Sequence, residues 1–162
     1  MRWLKHLFSG AWQVRRAFPP RAMRAIEAAI RECETSHRGE IRFAVEAGLD
    51  IEALIRGQTA RQRAIEVFSE LRVWDTQRNN GVLIYLLLAD HDVEIVADRG
   101  IDGQVGAEGW QEICTNMETM FQAGRFEDGV RAGIQAVSRH LARHYPARGD
   151  DHNELPDAPV VL

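Results

Sequence analysis

The rhythm of apolar and polar positions changes several times along the chain, and each rhythm predicts an element. Residues 82–88 (VLIYLLL) are apolar on both faces, which predicts a central strand covered by helices above and below. The polar turn Asp90-His91-Asp92 leads into a second, more alternating strand over 93–97, so these two strands should pair antiparallel. Upstream, residues 40–46 alternate, with Ile41, Phe43 and Val45 on one face and Glu40, Arg42 and Glu46 on the other. That pattern predicts a half-covered strand at a flanking position of the sheet.

Helical spacing fills the intervals. Trp3, Leu4, Leu7, Phe8, Ala11, Trp12 and Val14 predict one short amphipathic helix, ended by Pro19-Pro20. Met23, Ile26, Ile30 and Cys33 predict a helix over 20–36. Asp50 is a candidate N-cap for a long helix to about Leu71, with Leu54, Ala64, Ile65, Phe68 and Leu71 as its buried stripe and a bend at Gly57. Two further helices follow, on Trp110, Ile113, Cys114, Met117 and Phe121, and on Phe126, Val130, Ile134, Val137 and Leu141. A helix between strands one and two permits a parallel crossover. The expected fold is therefore α/β, a three-layer α/β/α sandwich on a small mixed sheet. Strand two is central, parallel to strand one and antiparallel to strand three.

The domain reading is a basic amphipathic helix over 1–18, an α/β domain over 19–145 and a disordered acidic tail over 146–162. The tail carries Asp150, Asp151, Glu154 and Asp157 without apolar periodicity. At 162 residues the chain suits a single core, and no apolar run approaches the roughly 20 residues of a spanning helix.

Charge alters this picture at one end. The net charge is −4, yet residues 1–26 hold six basic side chains (Arg2, Lys5, Arg15, Arg16, Arg21, Arg24) and no acid. The remainder has 14 basic against 24 acidic residues. An acidic body lacks the basic stripe of a nucleic-acid binder, and no nucleic-acid partner is expected. The basic aromatic arm at 2–16 has two readings, a helix docked on its own domain or a peripheral contact with an anionic membrane. Cytoplasmic location, with a peripheral membrane position as the alternative, is the expectation. Cys33 and Cys114 fall on apolar helix faces, where reduced thiols behave as small hydrophobes.

The topology brings three segments to one sheet edge, 39–40, 74–80 and 98–102. They offer Glu40, Asp75, Asn79, Asn80, Asp98 and Asp102, hard oxygen donors suited to Ca²⁺ or Mg²⁺. The same residues also read as turn and cap formers. The opposite edge, at the carboxyl ends of the parallel strands, is the second choice, with Glu46, Asp50, Asp90, His91 and Asp92. No nucleotide or organic cofactor is expected, since there is neither a Gly-rich phosphate loop nor a nucleophile elbow. Cys33 and Arg38 are one residue too close for a thiolate phosphatase loop. His140 and His144 lie one helical turn apart without the Glu of a zincin motif.

Gly39-Glu40-Ile41-Arg42, Ala64 to Phe68 with Leu71, Asn79-Asn80-Gly81-Val82-Leu83-Ile84, Arg99-Gly100-Ile101, Trp110 and Phe121 to Gly129 form an ordered succession. It resembles the TPM domain, a family founded on a thylakoid lumen protein, a photosystem-repair protein and a nematode receptor modulator. The resemblance runs from about residue 20 to 145. It implies an α/β/α sandwich, divalent-cation binding as in some members, weak acid-phosphatase activity as proposed for plant relatives, and an accessory role at the envelope with a protein partner. The usual signal peptide and C-terminal anchor of the family are not found in this sequence. Asp98 stands where many relatives have a small residue before the Arg-Gly pair, which adds an acidic candidate ligand. The expectation is thus a cation-binding interaction module. A metal-dependent acid phosphatase using Arg99 to hold phosphate is the alternative, and a membrane-surface adaptor the second alternative.

Overall fold

The computed structural model describes residues 2–149 and 151–162, with the side chain of Arg2 left out. Four strands form one mixed sheet in the order β3-β2-β1-β4: β1 (Glu40–Glu46), β2 (Gly81–Leu87), β3 (Asp92–Ala97) and β4 (Val160–Val161). β1 and β2 run parallel in register from Glu40 opposite Gly81 to Glu46 opposite Leu87. β3 returns antiparallel, Val82 facing Ala97. β2 is buried at every position, as its unbroken apolar run requires.

Helices cover both faces. On one side α2 (Ala11–Ala17), α3 (Pro20–Glu34), α6 (Arg99–Gln122) and α7 (Phe126–His144) pack on Ile41, Phe43, Val45, Ile84 and Leu86. On the other, α4 (Ile51–Ile55) and α5 (Ala60–Glu70) pack on Ala44, Leu83, Tyr85 and Leu87. No helix among the described residues is long and apolar enough to cross a membrane. The three-layer α/β/α arrangement and the central, mixed-polarity position of β2 are those read from the sequence.

The structure departs from expectation at five places. The N-terminal segment is two short helices, α1 (Arg2–Leu7) and α2, separated at Gly10, whose extended backbone (φ −160°) cannot continue a helix. The long helix from Asp50 breaks at Gly57, which takes a left-handed φ of 68°. Thr59 then restarts α5 through a capping box with Gln62. The break turns Ala60, Ala64 and Val67 inward and leaves Ile65 48% exposed. The helix predicted on Trp110 to Phe121 begins much earlier, with residues 99–102 as the first turn of α6, and kinks at Gly106.

The tail is the largest correction. It is not disordered: Leu155 is buried, and Val160-Val161 adds β4 to the far edge of β1, parallel to it. β1 is thereby interior rather than flanking, and Glu40 and Arg42 of its polar face are buried against the tail. Arg42 donates to the carbonyls of Pro156 and Ala158, and Glu40 accepts from two tail amides. A charge-rich segment can order without its own apolar core when buried charges elsewhere require it as partner.

Candidate functional site

At the entry edge of the parallel pair, the loop before β2 and the start of α6 are joined by backbone bonds on both sides of Asn80. Asp98 N donates to Gly81 O (2.9 Å) and Gly100 N donates to Asn79 O (2.8 Å). Residue 100 must be glycine for this approach, because a Cβ there would lie 2.4 Å from Asn79 O and 2.6 Å from Arg78 O. Asn79 turns the chain with φ 51°. Asn80 is fully buried, its backbone N–H donating to Thr76 Oγ1 (3.2 Å) and its Nδ2 to Arg38 O (2.9 Å). Asp98 is the N-cap of α6, its Oδ1 accepting from Arg99 N (2.7 Å). Asn80 Oδ1 and Asp98 Oδ2 are both buried, and neither receives a hydrogen bond.

The remaining members of the expected oxygen set are near in sequence or space but engaged elsewhere. Asp75 pairs with Arg72 at 2.7 Å on the exposed surface. Asp102 accepts from Trp110 Nε1 at 2.9 Å, tying the start of α6 to its middle. Glu40 does sit beside Asn80, its N–H reaching Asn80 O (3.4 Å). Its carboxylate, however, accepts from Glu154 N (3.0 Å) and Leu155 N (3.1 Å). Arg99 is exposed at the first position of α6. Among the described residues no three His, Cys, Asp or Glu side chains cluster as a metal cage.

At the opposite edge each candidate has its own place in the fold. Glu46 accepts from Arg63 Nε (3.0 Å) and from the Tyr85 hydroxyl (2.6 Å). Asp50 caps α4 through Ala53 N, as its sequence position suggested. Asp90 pairs with His6 (3.1 Å), Asp92 begins β3 opposite Leu87, and the ring of His91 lies against Phe126.

Sequence reasoning missed a polar cleft of about 440 Å³ beside Asn80, lined by Glu34, His37, Arg38, Glu40, Asp151 and Glu154. Burial, reinforced by the charges of Glu40 and Asp157, pushes the Glu34 carboxyl up to about 9, although its Oε1 accepts from Ile41 N (3.0 Å). Burial likewise raises Glu40. His37 is lowered to about 4 by burial. Its Nδ1 faces Gly39 O at 3.0 Å and must carry the proton, so the partnerless Nε2 is a bare lone pair. The single signal in the sequence for this cleft is the apolar pair Val160-Val161 at the end of a polar tail, which marks a segment with somewhere to dock.

The TPM domain profile matches residues 16–140. The chain belongs to the TPM domain family. Among solved structures, this TPM domain is similar to the BA42 protein of the psychrophilic bacterium Bizionia argentinensis. Identity is 32%, covering 88% of this chain and 93% of that one, with a TM-score of 0.75. It also resembles the N-terminal domain of a protein from P. gingivalis at 17% identity, covering 80% of this chain and 81% of that one, with a TM-score of 0.61. The second likeness concerns the fold alone. No curated protein matches this TPM domain.

Proposed function

We propose that this TPM domain is a weak divalent-cation-binding interaction module whose binding nucleus is Asn80 with Asp98. The observation that carries the reading is the pair of buried oxygens, Asn80 Oδ1 and Asp98 Oδ2, left without donors on segments joined at Gly81 and Gly100. A buried acceptor without a partner costs about 1–3 kcal/mol. A hard cation of the Ca²⁺ or Mg²⁺ type accepts amide and carboxylate oxygens together and completes its shell with water. With two side-chain oxygens and the positive end of α6 adjacent, affinity falls in the millimolar range. Binding would tie the loop over 76–80 to α6 and stiffen the rim of the cleft, where a protein partner could dock.

The phosphatase alternative draws less support. Glu34, Glu40, Asp151 and Glu154 line the cleft against Arg38 and Arg78, so a phosphate dianion entering it meets four carboxyl groups. The test is a calcium titration of the full chain followed by backbone NMR. Amides of residues 79–81 and 98–100 should move at millimolar calcium, and Asp98→Asn should abolish the movement. Asparagine caps a helix as well as aspartate, so the variant keeps its fold. Still resonances at those positions in the wild type would overturn the reading.

A further inference from the structure

The N-terminal arm turns its large apolar side chains away from the protein. Trp3, Leu4, Leu7, Phe8 and Trp12 are between 50% and 70% exposed, whereas Val14 and Phe18 further along are buried in the core. At about 100° per residue, Trp3, Leu7 and Leu4 of α1, continued by Phe8 in the turn that follows it, fill an arc of roughly 140°. His6 projects from the other side of that helix and is buried at 4% exposure. Its Nδ1 accepts from Leu49 N (3.0 Å) and its Nε2 faces Asp90 Oδ2 (3.1 Å). A polar latch at His6, together with Val14 and Phe18 buried in the core, therefore fixes the arm with its hydrophobic arc outward.

Cations share that surface. Lys5, Phe8, Trp12 and Arg16 line one open groove of about 520 Å³ floored by Leu88 and Phe126. Lys5, Arg15 and Arg16 are exposed, and no acid occurs among residues 1–26. Contiguous exposed aromatic and aliphatic side chains mark an interaction surface. Aromatic rings interleaved with cations on a short helix match the interface of an anionic bilayer, where rings enter the headgroup boundary and cations meet phosphate.

We propose that residues 3–16 dock this protein peripherally on anionic lipid bilayers, with Trp3, Leu4, Leu7, Phe8 and Trp12 inserted and Lys5, Arg15 and Arg16 at the headgroups. The surface is separate from the Asn80–Asp98 nucleus and stands without it.

The experiment is cosedimentation of the full chain with phosphatidylcholine vesicles, with and without phosphatidylglycerol, in low salt. Three cations near the surface predict about a hundredfold tighter binding to the anionic vesicles. Trp3→Ser with Phe8→Ser should remove binding, and Lys5→Ala with Arg16→Ala should weaken it about thirtyfold. All four positions lie outside the core, and circular dichroism checks that the variants fold. Brominated lipid should quench Trp3 and Trp12 emission while sparing Trp110, which is buried. Equal binding to neutral and anionic vesicles, or no cosedimentation, would overturn the proposal. So would a lipid-free dimer dissolved by the Trp3→Ser, Phe8→Ser change, which would assign the surface to a second copy of the chain.

Discussion

Glu34 gives the sharpest test of how the tail is held. Its carboxyl accepts from Ile41 N (3.0 Å), hydrogen-bonds Asp157, and has its pKa raised from 4.5 to about 9, first by burial and then by neighbouring acids. A carboxyl raised on folding contributes fully below its unfolded value and loses that contribution as pH rises toward its folded value. The window is therefore pH 4.5 to about 9. At neutral pH the unfolded chain has released a proton that the folded chain retains, a difference of about 2.5 pH units or ~3.4 kcal/mol. Partial solvent access reduces this to about 2 kcal/mol. Glu34→Gln reproduces the protonated carboxyl, since its amide oxygen still faces Ile41 N and its NH₂ donates to Asp157. The variant should gain about 4–8 °C in Tm near neutral pH and nothing at the acid end of the window. Thermal unfolding followed by circular dichroism across that range checks it, with Glu34→Ala, which loses both bonds, destabilised throughout. A gain independent of pH, or a loss for Glu34→Gln at neutral pH, would refute a protonated Glu34.

Three further outcomes are expected. Glu40→Ala should free the amides of Glu154 and Leu155, each worth about 1.5–3 kcal/mol as a charge-assisted bond. Hydrogen exchange should accelerate at those two positions while β2 stays protected, because a released tail limits the damage. His37, lowered from 6.5 to about 4 by burial, contributes stability above 6.5 that is lost as pH falls through that interval. Measuring urea midpoints in the Glu34→Gln background separates this loss from the opposite-signed Glu34 effect, and a flat profile would contradict a neutral, buried His37. Gly81→Ala would place a Cβ 2.1 Å from Val73 O, a backbone atom unable to retreat cheaply. A loss of about 3 kcal/mol is expected by denaturant unfolding.

The amino-acid sequence by itself determined the sheet's centre and polarity. Seven apolar residues from Val82 demand burial on both faces, a short turn at 90–92 enforces an antiparallel return, and the helical stretch between β1 and β2 allows a parallel pair. Local chemistry also placed Asp50 as a cap, and topology placed Asn79 and Asn80 beside Asp98 and Glu40. These are properties of nearby residues and of periodicity, which a linear chain displays. Which carboxylates keep oxygens available was decided only by tertiary structure. Glu40 is taken by the amides of Glu154 and Leu155, more than a hundred positions away, and Asp102 by Trp110. The docked tail was illegible for the same reason: its partners, Arg42, Arg31 and Glu40, lie on β1 and α3, and a polar segment reveals no periodicity of its own. Long-range hydrogen bonding between charged groups leaves no local pattern. It emerges when the fold has already brought the groups together.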